Sequence, residues 1–208
     1  MTSDSAGDGA AAGPSVWWTP LRRAAGRAYR GSRRVVERVL HPLRRRAART
    51  RLMRLGPQRE VLVICFGNIC RSPYAAAVLS RQLLAEGINL EVTQGGFFGP
   101  DRRSPDTARG AAFDRGVDLA AHRSRLLTTD GVTSATLVVV MEVGQAERVT
   151  GQFGVARSRT LVLGDLDPGT IFSRDIPDPY GLQKEVFDAT YARIDRCITA
   201  LVEVLPRS

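Results

Sequence analysis

The 208-residue chain has few of the features that indicate a disulfide-stabilised or membrane-spanning protein. It contains three cysteines and two histidines, and no apolar run approaches the ~20 residues that a transmembrane helix requires. The N-terminal region also lacks the apolar core and cleavage site of a secretory signal peptide. We therefore expect a reducing, cytoplasmic setting for the folded part of the chain.

Acidic residues are scarce in one part of the chain only. Residues 1–59 hold 14 arginines and three acidic residues, whereas residues 60–208 hold 16 basic and 18 acidic residues. The high pI of about 10.6 therefore belongs to the N-terminal region, and the rest of the chain is not expected to bind nucleic acid. The length suits one domain with an appendage, so we divide the chain into a basic extension, 1–58, and a domain, 59–208.

The composition of the extension changes along its length. Residues 1–15 are poor in large apolar side chains, which predicts disorder. From 16 to 54, apolar residues recur at spacings of three and four between arginines. This pattern predicts one or two basic amphipathic helices, broken at Gly31 and Pro42.

Such helices fit contact with an anionic membrane surface, for example the inner surface of the cell membrane. Trp17 and Trp18 would lie in the interface while the arginines bind lipid phosphates. One alternative is a solvated or loosely docked extension. Another is that translation begins at Met53, which would leave a self-sufficient domain.

From residue 59 onward, apolar β-branched runs alternate with helical patterns. This order predicts an α/β fold in three layers, in which a small parallel sheet is covered by helices on both faces. Ligands of such sheets bind at the carboxyl ends of the strands. The predicted strands are 61–64, 90–93, 135–141 and 160–163, and the predicted helices are 73–87, 105–115, 142–150 and 183–205.

One stretch of this pattern carries the chemistry. A predicted buried strand, 61–64, ends at Cys65; Arg71 follows the next five residues, and Pro73 opens a helix. The loop between them can direct backbone N–H groups at an anion. The helix N-terminus and the guanidinium both favour the thiolate form of a cysteine in this position. Such a thiolate can attack phosphorus in line while the arginine binds two phosphate oxygens.

Two further residues of the loop support this chemistry. Ser72 can donate a hydrogen bond to the thiolate, and Gly67 allows backbone positions that a Cβ would forbid. The alternative is a buried structural cysteine at a strand end. A strand before the loop, a helix after it and Gly, Asn, Ser and Pro within it together make that alternative weak.

The segment VICFGNICRSP, residues 63–73, resembles the signature loop of the low-molecular-weight protein tyrosine phosphatases, and the resemblance extends over residues 60–205. It implies a four-stranded parallel sheet and a metal-free, cofactor-free hydrolysis of phosphate monoesters through a phosphocysteine. By position, Cys65 would be the nucleophile, Arg71 would bind the phosphate and the transition state, and Asn68 would shape the loop. The other loop residues expected to contact substrate are Phe66, Gly67, Ile69, Cys70 and Ser72.

The leaving tyrosine oxygen needs a proton, which another loop must supply. Asp178-Pro179-Tyr180 matches the Asp-Pro-Tyr segment of the family, so Asp178 would act as general acid and then as general base. Tyr180 would line the entrance and stack on a substrate ring. Asp167 and Asp175 lie in the same loop and are alternatives to Asp178, although each fits a turn-forming role.

The resemblance also assigns supporting residues. His122 matches a histidine that hydrogen-bonds the loop asparagine, and it is not expected to be catalytic. Cys70 matches a second cysteine that can form a reversible disulfide with the nucleophile and protect it from overoxidation. The chain departs from the family where Gln94 replaces a supporting serine, and the aromatic wall would come from Phe97 or Phe98.

Three other functions remain as alternatives. An arsenate reductase on the same fold needs resolving cysteines after the third strand, but residues 142–182 contain none and Cys197 lies in the last helix. Phosphoarginine phosphatases carry threonine where Ile69 stands, so this residue favours phosphotyrosine. A tethered module that only binds phosphotyrosine would not need the complete catalytic set. The implied partner is a phosphotyrosine protein, such as a bacterial tyrosine kinase of the exopolysaccharide-export type.

Overall fold

The computed structural model describes residues 19–55 and 60–205, with residues 19–34 described through their backbone only. Residues 1–15, for which the sequence predicts disorder, lie outside the described residues, and so do Trp17 and Trp18. Within these ranges, no helix combines the length and the apolar character needed to cross a bilayer.

The four strands form one parallel sheet with the order β2-β1-β3-β4. This finding confirms the predicted α/β fold. Because the chain passes from β1 to β2 on one side and places β3 on the other, the carboxyl end of β1 lies at a topological switch point, where ligands bind in such sheets. The strands are β1 (Glu60–Cys65), β2 (Glu91–Gly96), β3 (Leu137–Val140) and β4 (Thr160–Val162).

Helices cover both faces of the sheet, as the sequence predicts, and the described residues also include a short helix that was not expected. They are α1 (Thr19–Arg54), α2 (Arg71–Ala85), α3 (Asp106–Phe113), the unexpected α4 (Thr129–Ser134), α5 (Val143–Phe153) and α6 (Lys184–Val202). Side chains of α1, α2, α3 and α6 share the larger hydrophobic core, whereas α4 and α5 contribute to the smaller core on the opposite face.

The central strand β1 supplies both cores because successive side chains of a strand point to opposite faces. Val61 and Val63 lie in the larger core with α2 and α6, while Leu62 and Ile64 lie in the smaller one. All four side chains are buried. Burial on both faces explains why this strand is a continuous apolar run rather than an alternating one.

Residues 19–54 of the extension form one continuous helix, so the predicted breaks at Gly31 and Pro42 are wrong. A glycine costs a helix only about 1 kcal/mol, and tertiary packing compensates for the proline. Beyond Pro42, Ala48 and Leu52 are buried in the larger core. On the same side, His41 Nε2 donates to the carbonyl of Asp167 at 2.8 Å. The C-terminal part of α1 is therefore docked on the domain.

Candidate active site

Strand β1 delivers Cys65 to the carboxyl edge of the sheet, where its side chain is 2% exposed. The chain then forms a loop and enters α2 at Arg71, two residues earlier than Pro73 suggested. The loop lies against β2, since the Phe97 N–H donates to the Phe66 carbonyl at 2.8 Å. Cys65 thus lies at the base of a loop that ends at a helix N-terminus, as an anion-binding cup requires.

Asn68 holds the cup in shape. Its φ of 50° is in the left-handed region, and its side chain is fully buried. Asn68 Nδ2 donates to Ser72 Oγ at 2.8 Å, and Asn68 Oδ1 accepts from the Arg125 N–H at 2.8 Å. The unusual conformation therefore belongs to Asn68, whereas Gly67 has no positive φ, and a Cβ there would meet only the side chains of Arg102 and Ile69. The expectation that Gly67 provides the conformational freedom is wrong.

Gly96, at the end of β2, allows the cup to approach the sheet. A Cβ at this position would lie 2.8 Å from both the Asn68 nitrogen and the Phe66 carbonyl oxygen. Real Cβ atoms do not approach backbone atoms so closely, so any other residue would push the cup away from β2.

A partly buried hydrogen-bond network connects the cup to His122. Gln94 Oε1 accepts from Asn68 Nδ2, and Gln94 Nε2 lies 3.1 Å from His122 Nδ1. His122 Nε2 lies 2.7 Å from the Asn68 carbonyl and must donate to it, so Nδ1 accepts from Gln94 and the imidazole is neutral. Burial lowers the pKa of His122 below its ordinary value, which agrees with the neutral form. Gln94 thus replaces the family serine and also reaches the histidine.

This network orients the hydroxyl of Ser72. Because Ser72 Oγ accepts from Asn68, its own hydrogen is available for the Cys65 sulfur 3.1 Å away. A hydroxyl that donates to sulfur stabilises the anionic form of the cysteine. The neutral form of His122 thus sets the donor of each hydrogen bond in turn, through Gln94 and Asn68 to the Ser72 hydroxyl. The last of these bonds is donated to the reacting atom, the Cys65 sulfur.

The Arg71 guanidinium lies beside the cup and is 1% exposed. It donates to Asp178 Oδ2 at 2.6 Å, to the Ile176 carbonyl at 2.8 Å and to the Glu142 carboxylate. Burial opposes its charge, but the neighbouring Cys65 and carboxylates outweigh this effect and raise the pKa of Arg71. Glu142, two residues after the end of β3, was not predicted from the sequence as part of the site.

The Asp-rich loop after β4 brings Asp178 to the cup. Its path is anchored by the Ile176 N–H, which donates to the Met141 carbonyl at 2.9 Å. The two alternative acids have structural roles. Asp175 accepts from the Val143 N–H at 2.7 Å, and buried Asp167 accepts from the Gly169 N–H and from two arginines of α6. Of the three aspartates, only Asp178 lines the cavity above Cys65.

An aromatic mouth surrounds this cavity of about 240 Å³. Phe66 and Phe98 are stacked with ring centroids 5.9 Å apart, and the exposed ring of Tyr180 also lines the opening. Phe98 is thus the wall residue, whereas Phe97 packs against the smaller core on the other side. The opening also carries the positive charge of Arg102, whose guanidinium lies 5.1 Å from the Phe98 ring centroid.

The remaining predicted residues fall at or next to this cavity. Gly67, Ile69 and Cys70 line it together with the aromatic side chains. Burial, with contributions from Cys65 and Asp178, raises the pKa of Cys70 to about 12, so its thiol stays protonated at neutral pH. Cys197 lies elsewhere, in the larger core. Across the described ranges, no group of three or more His, Cys, Asp or Glu side chains is arranged to hold a metal ion.

Taken with the fold, this geometry places the protein among the phosphatases. Comparison with known proteins then identifies the family. Residues 60–208 match the family described as low molecular weight phosphotyrosine protein phosphatase, and the chain belongs to it. The match leaves the N-terminal extension, including α1, outside the family region.

Individual relatives include two named activities. Over 138 residues the chain is 31% identical to the low molecular weight protein-tyrosine-phosphatase Etp of Escherichia coli K12, covering 66% of this chain and 88% of the relative. Over 147 residues it is 33% identical to a protein-arginine-phosphatase of Geobacillus stearothermophilus, covering 70% and 95%. The solved structure of Vibrio vulnificus Wzb with benzylphosphonate superposes with a TM-score of 0.63 at 32% identity, covering 71% and 99%.

Proposed function

We propose that the protein hydrolyses phosphotyrosine in proteins through a covalent intermediate on Cys65. The observation that carries this proposal is that Cys65 and Asp178 line one cavity while Arg71 is hydrogen-bonded to Asp178, although the three residues come from different parts of the fold. The buried Nε–H of Arg71 has no hydrogen-bond partner in the described part of the chain. A phosphate oxygen in the cup would accept from this N–H, and a second oxygen would accept from the neighbouring Nη2.

In the first step, the Cys65 sulfur attacks phosphorus and the bond from phosphorus to the tyrosine oxygen breaks. Asp178 donates its proton to that oxygen, so tyrosine leaves as a neutral phenol. Arg71 and the N–H groups of the cup stabilise the charge on the three equatorial oxygens. A sulfur–phosphorus bond has replaced the oxygen–phosphorus bond.

In the second step, water attacks the phosphocysteine and the sulfur–phosphorus bond breaks. Asp178, now ionised, accepts a proton from the water, and inorganic phosphate leaves. The Ser72 hydroxyl stabilises the departing Cys65 sulfur, to which it is already directed at 3.1 Å. Both residues return to their starting forms, so the cycle needs no other reactant.

The ion pair between Asp178 and Arg71 couples acid function to substrate binding. The carboxylate is paired with the guanidinium at 2.6 Å. A phosphate dianion entering the cup competes for this guanidinium and places negative charge beside the carboxylate. The phosphate and the Asp178 carboxylate thus share one guanidinium, so substrate binding brings the acid and the reacting phosphate to the same side chain.

The mouth favours an aromatic phosphate ester over phosphoarginine, although relatives of both activities are similar to this chain. Phe66, Phe98 and Tyr180 provide faces on which a phenyl ring can stack. A phosphorylated guanidinium would instead meet the apolar side chain of Ile69 and the positive charge of Arg102. Arg102 forms no ion pair with any described residue that would neutralise this charge.

The deciding experiment measures release of phosphate from phosphotyrosine and phosphoarginine peptides, each with and without EDTA, together with reduction of arsenate. We expect the tyrosine peptide to have the highest kcat/KM, with no effect of EDTA. Cys65→Ser should abolish turnover, and Asp178→Ala should slow it by about 10²–10⁴-fold. Asp106→Ala, which removes an exposed carboxylate of α3, is the control and should leave the rate unchanged.

Each alternative function has its own outcome in this experiment. A higher kcat/KM for the arginine peptide would replace phosphotyrosine as the substrate, and arsenate reduction would indicate a reductase. Turnover in Cys65→Ser would overturn the covalent mechanism, and binding without turnover in the unmodified protein would indicate a binding module. For the natural partner, the family resemblance favours a phosphotyrosine protein such as a bacterial tyrosine kinase.

A further inference from the structure

Helix α1 has two faces of opposite character. One face is docked on the domain through His41, Ala48 and Leu52, all of which are buried. The other carries Val39 and Leu43, which are 65% and 66% exposed. At 100° per residue these two side chains lie nearly opposite the docked ones, so they form an apolar face turned away from the domain. Val35 and Val36 extend the same exposed face.

The docking contacts give α1 a direction relative to the active site. His41 binds the Asp167 carbonyl, beyond the carboxyl end of β4, whereas Arg51 binds the Thr160 carbonyl at the start of β4 at 3.0 Å. Helix α1 therefore runs antiparallel to β4. Because all the strands are parallel, its N-terminal part extends past the edge of the sheet that carries Cys65. At 1.5 Å per residue, residues 19–40 span roughly 33 Å.

The charge of α1 indicates what its exposed face contacts. Residues 19–54 contain 13 arginines and a single acidic residue, Glu37. Arg38 and Arg46 are exposed next to the apolar face and pair with no carboxylate in the described ranges. In the sequence, the apolar spacing continues towards the N-terminus through Leu21, Ala25 and Ala28. An apolar face bordered by arginines matches the interface of an anionic bilayer, which offers acyl chains and phosphates together.

We propose that α1 lies in the surface of an anionic phospholipid bilayer and holds the catalytic edge of the sheet towards substrates attached to that surface. The exposed valine and leucine side chains enter the acyl boundary, and the arginines bind lipid phosphates. A nucleic acid would use the arginines but would leave the apolar face in water. The substrates favoured by this orientation are phosphorylated segments of membrane proteins close to the bilayer. Membrane binding itself does not require the phosphatase activity.

Flotation with vesicles tests the binding in the full chain. We expect the protein to float with phosphatidylglycerol-containing vesicles and to remain behind with pure phosphatidylcholine. Val39→Gln with Leu43→Gln should weaken partition to the anionic vesicles by about thirtyfold. The control is Leu84→Gln with Phe113→Gln, which changes two side chains that are 81% and 73% exposed on α2 and α3. It should float like the unmodified protein.

The electrostatic contribution has a separate test. Each arginine near an anionic surface raises the partition coefficient about fivefold, so Arg38→Gln with Arg46→Gln should lower partition to the anionic vesicles about 25-fold. Higher salt should reduce binding further. All these variants should hydrolyse a soluble aryl phosphate at the unmodified rate, which verifies their folding. Equal flotation of the α1 variants and the control pair would overturn the proposal, as would equal binding to neutral vesicles.

The orientation is tested by comparing a phosphotyrosine peptide tethered to the vesicle with the same peptide in solution. The unmodified chain should have an apparent KM at least tenfold lower for the tethered peptide, because binding raises the effective concentration of enzyme and substrate. The Val39→Gln, Leu43→Gln variant should lose this advantage. Equal KM values for both peptides would overturn the orientation. A concentration-dependent dimer that the same variant abolishes would show that the exposed face binds a second copy instead.

Discussion

Replacement of Gln94 by alanine is the sharpest test of the network behind the cup. Gln94 accepts a hydrogen bond from Asn68 and donates one to His122, so its removal affects two partners. The Asn68 side chain is fully buried, and a buried donor without a partner costs about 1–3 kcal/mol. Loss of the hydrogen bond to half-buried His122 costs a further ~0.5–1 kcal/mol, a smaller amount because water can replace part of the contact.

These losses predict a free energy of unfolding about 1.5–4 kcal/mol lower in Gln94→Ala. For a chain of this size, the melting temperature should fall by about 3–16 °C. We also expect kcat to fall by about tenfold, because a displaced Asn68 no longer holds the Ser72 hydroxyl towards Cys65. The assays are thermal unfolding and turnover of an aryl phosphate at saturating substrate.

Two further variants separate positioning from simple loss of stability. Thr93 lies beside Gln94 on β2 but outside the network; Thr93→Ala removes a side-chain hydrogen bond to Glu60 of β1 and should leave kcat unchanged. Gln94→Glu keeps an acceptor for Asn68 but removes the donor to His122, so the imidazole gains a proton and its pKa should rise. Proton NMR titration of His122 measures this shift. If Gln94→Ala had the same melting temperature and kcat as the unmodified protein, the proposed role of Gln94 in holding Asn68 and Ser72 would be refuted.

Three other perturbations have defined outcomes. Burial lowers the pKa of His122 below its ordinary value, so the folded chain resists protonation of this imidazole. The contribution of neutral His122 to the free energy of unfolding should therefore be complete above the ordinary pKa and should be lost as the pH falls towards the folded-state pKa. Urea unfolding at pH 7.5 and 5.5 should show this loss, and His122→Gln should reduce it. In Cys70→Ser, inactivation by peroxide should become irreversible, whereas unmodified enzyme should recover with added thiol; equal recovery would exclude a protective disulfide with Cys65. Glu142→Gln should lower kcat/KM about fivefold, because the half-exposed carboxylate contributes ~1 kcal/mol to holding Arg71, and an unchanged value would remove Glu142 from the site.

Much of the fold could be predicted because β1 and β3 are buried on both faces and therefore appear as apolar runs. The boundaries of β2 were harder to predict. The sequence predicts a strand over 90–93, yet pairing with β1 extends this strand to Gly96. Glycines have a low strand propensity, so only the tertiary contact shows that they belong to the sheet. Helix α4 was missed because it is short and polar, and its main local indication is the cap in which Thr128 Oγ1 accepts from Gly131.

The chemistry of the candidate site was more visible in the sequence than its supports. Cys65 and Arg71 lie within one local motif, and Asp178 lies beside a proline and an aromatic residue. By contrast, Glu142 and Arg102 enter the site through the topology of the sheet and the path of a loop. No local spacing links either residue to the cup, because contacts between distant segments depend on the complete fold.

Three of the hydrogen bonds that dock α1 use acceptors that every protein chain possesses. His41 binds the carbonyl of Asp167, and Arg51 binds the carbonyls of Arg157 and Thr160. On the domain side of these contacts, the identity of the side chain is irrelevant to the hydrogen bond. The polar part of this docking therefore depends on the side chains of the helix alone, whereas the apolar part, through Ala48 and Leu52, also depends on the core of the domain. Covariation between domain and helix residues would consequently report the apolar contacts and miss the polar ones.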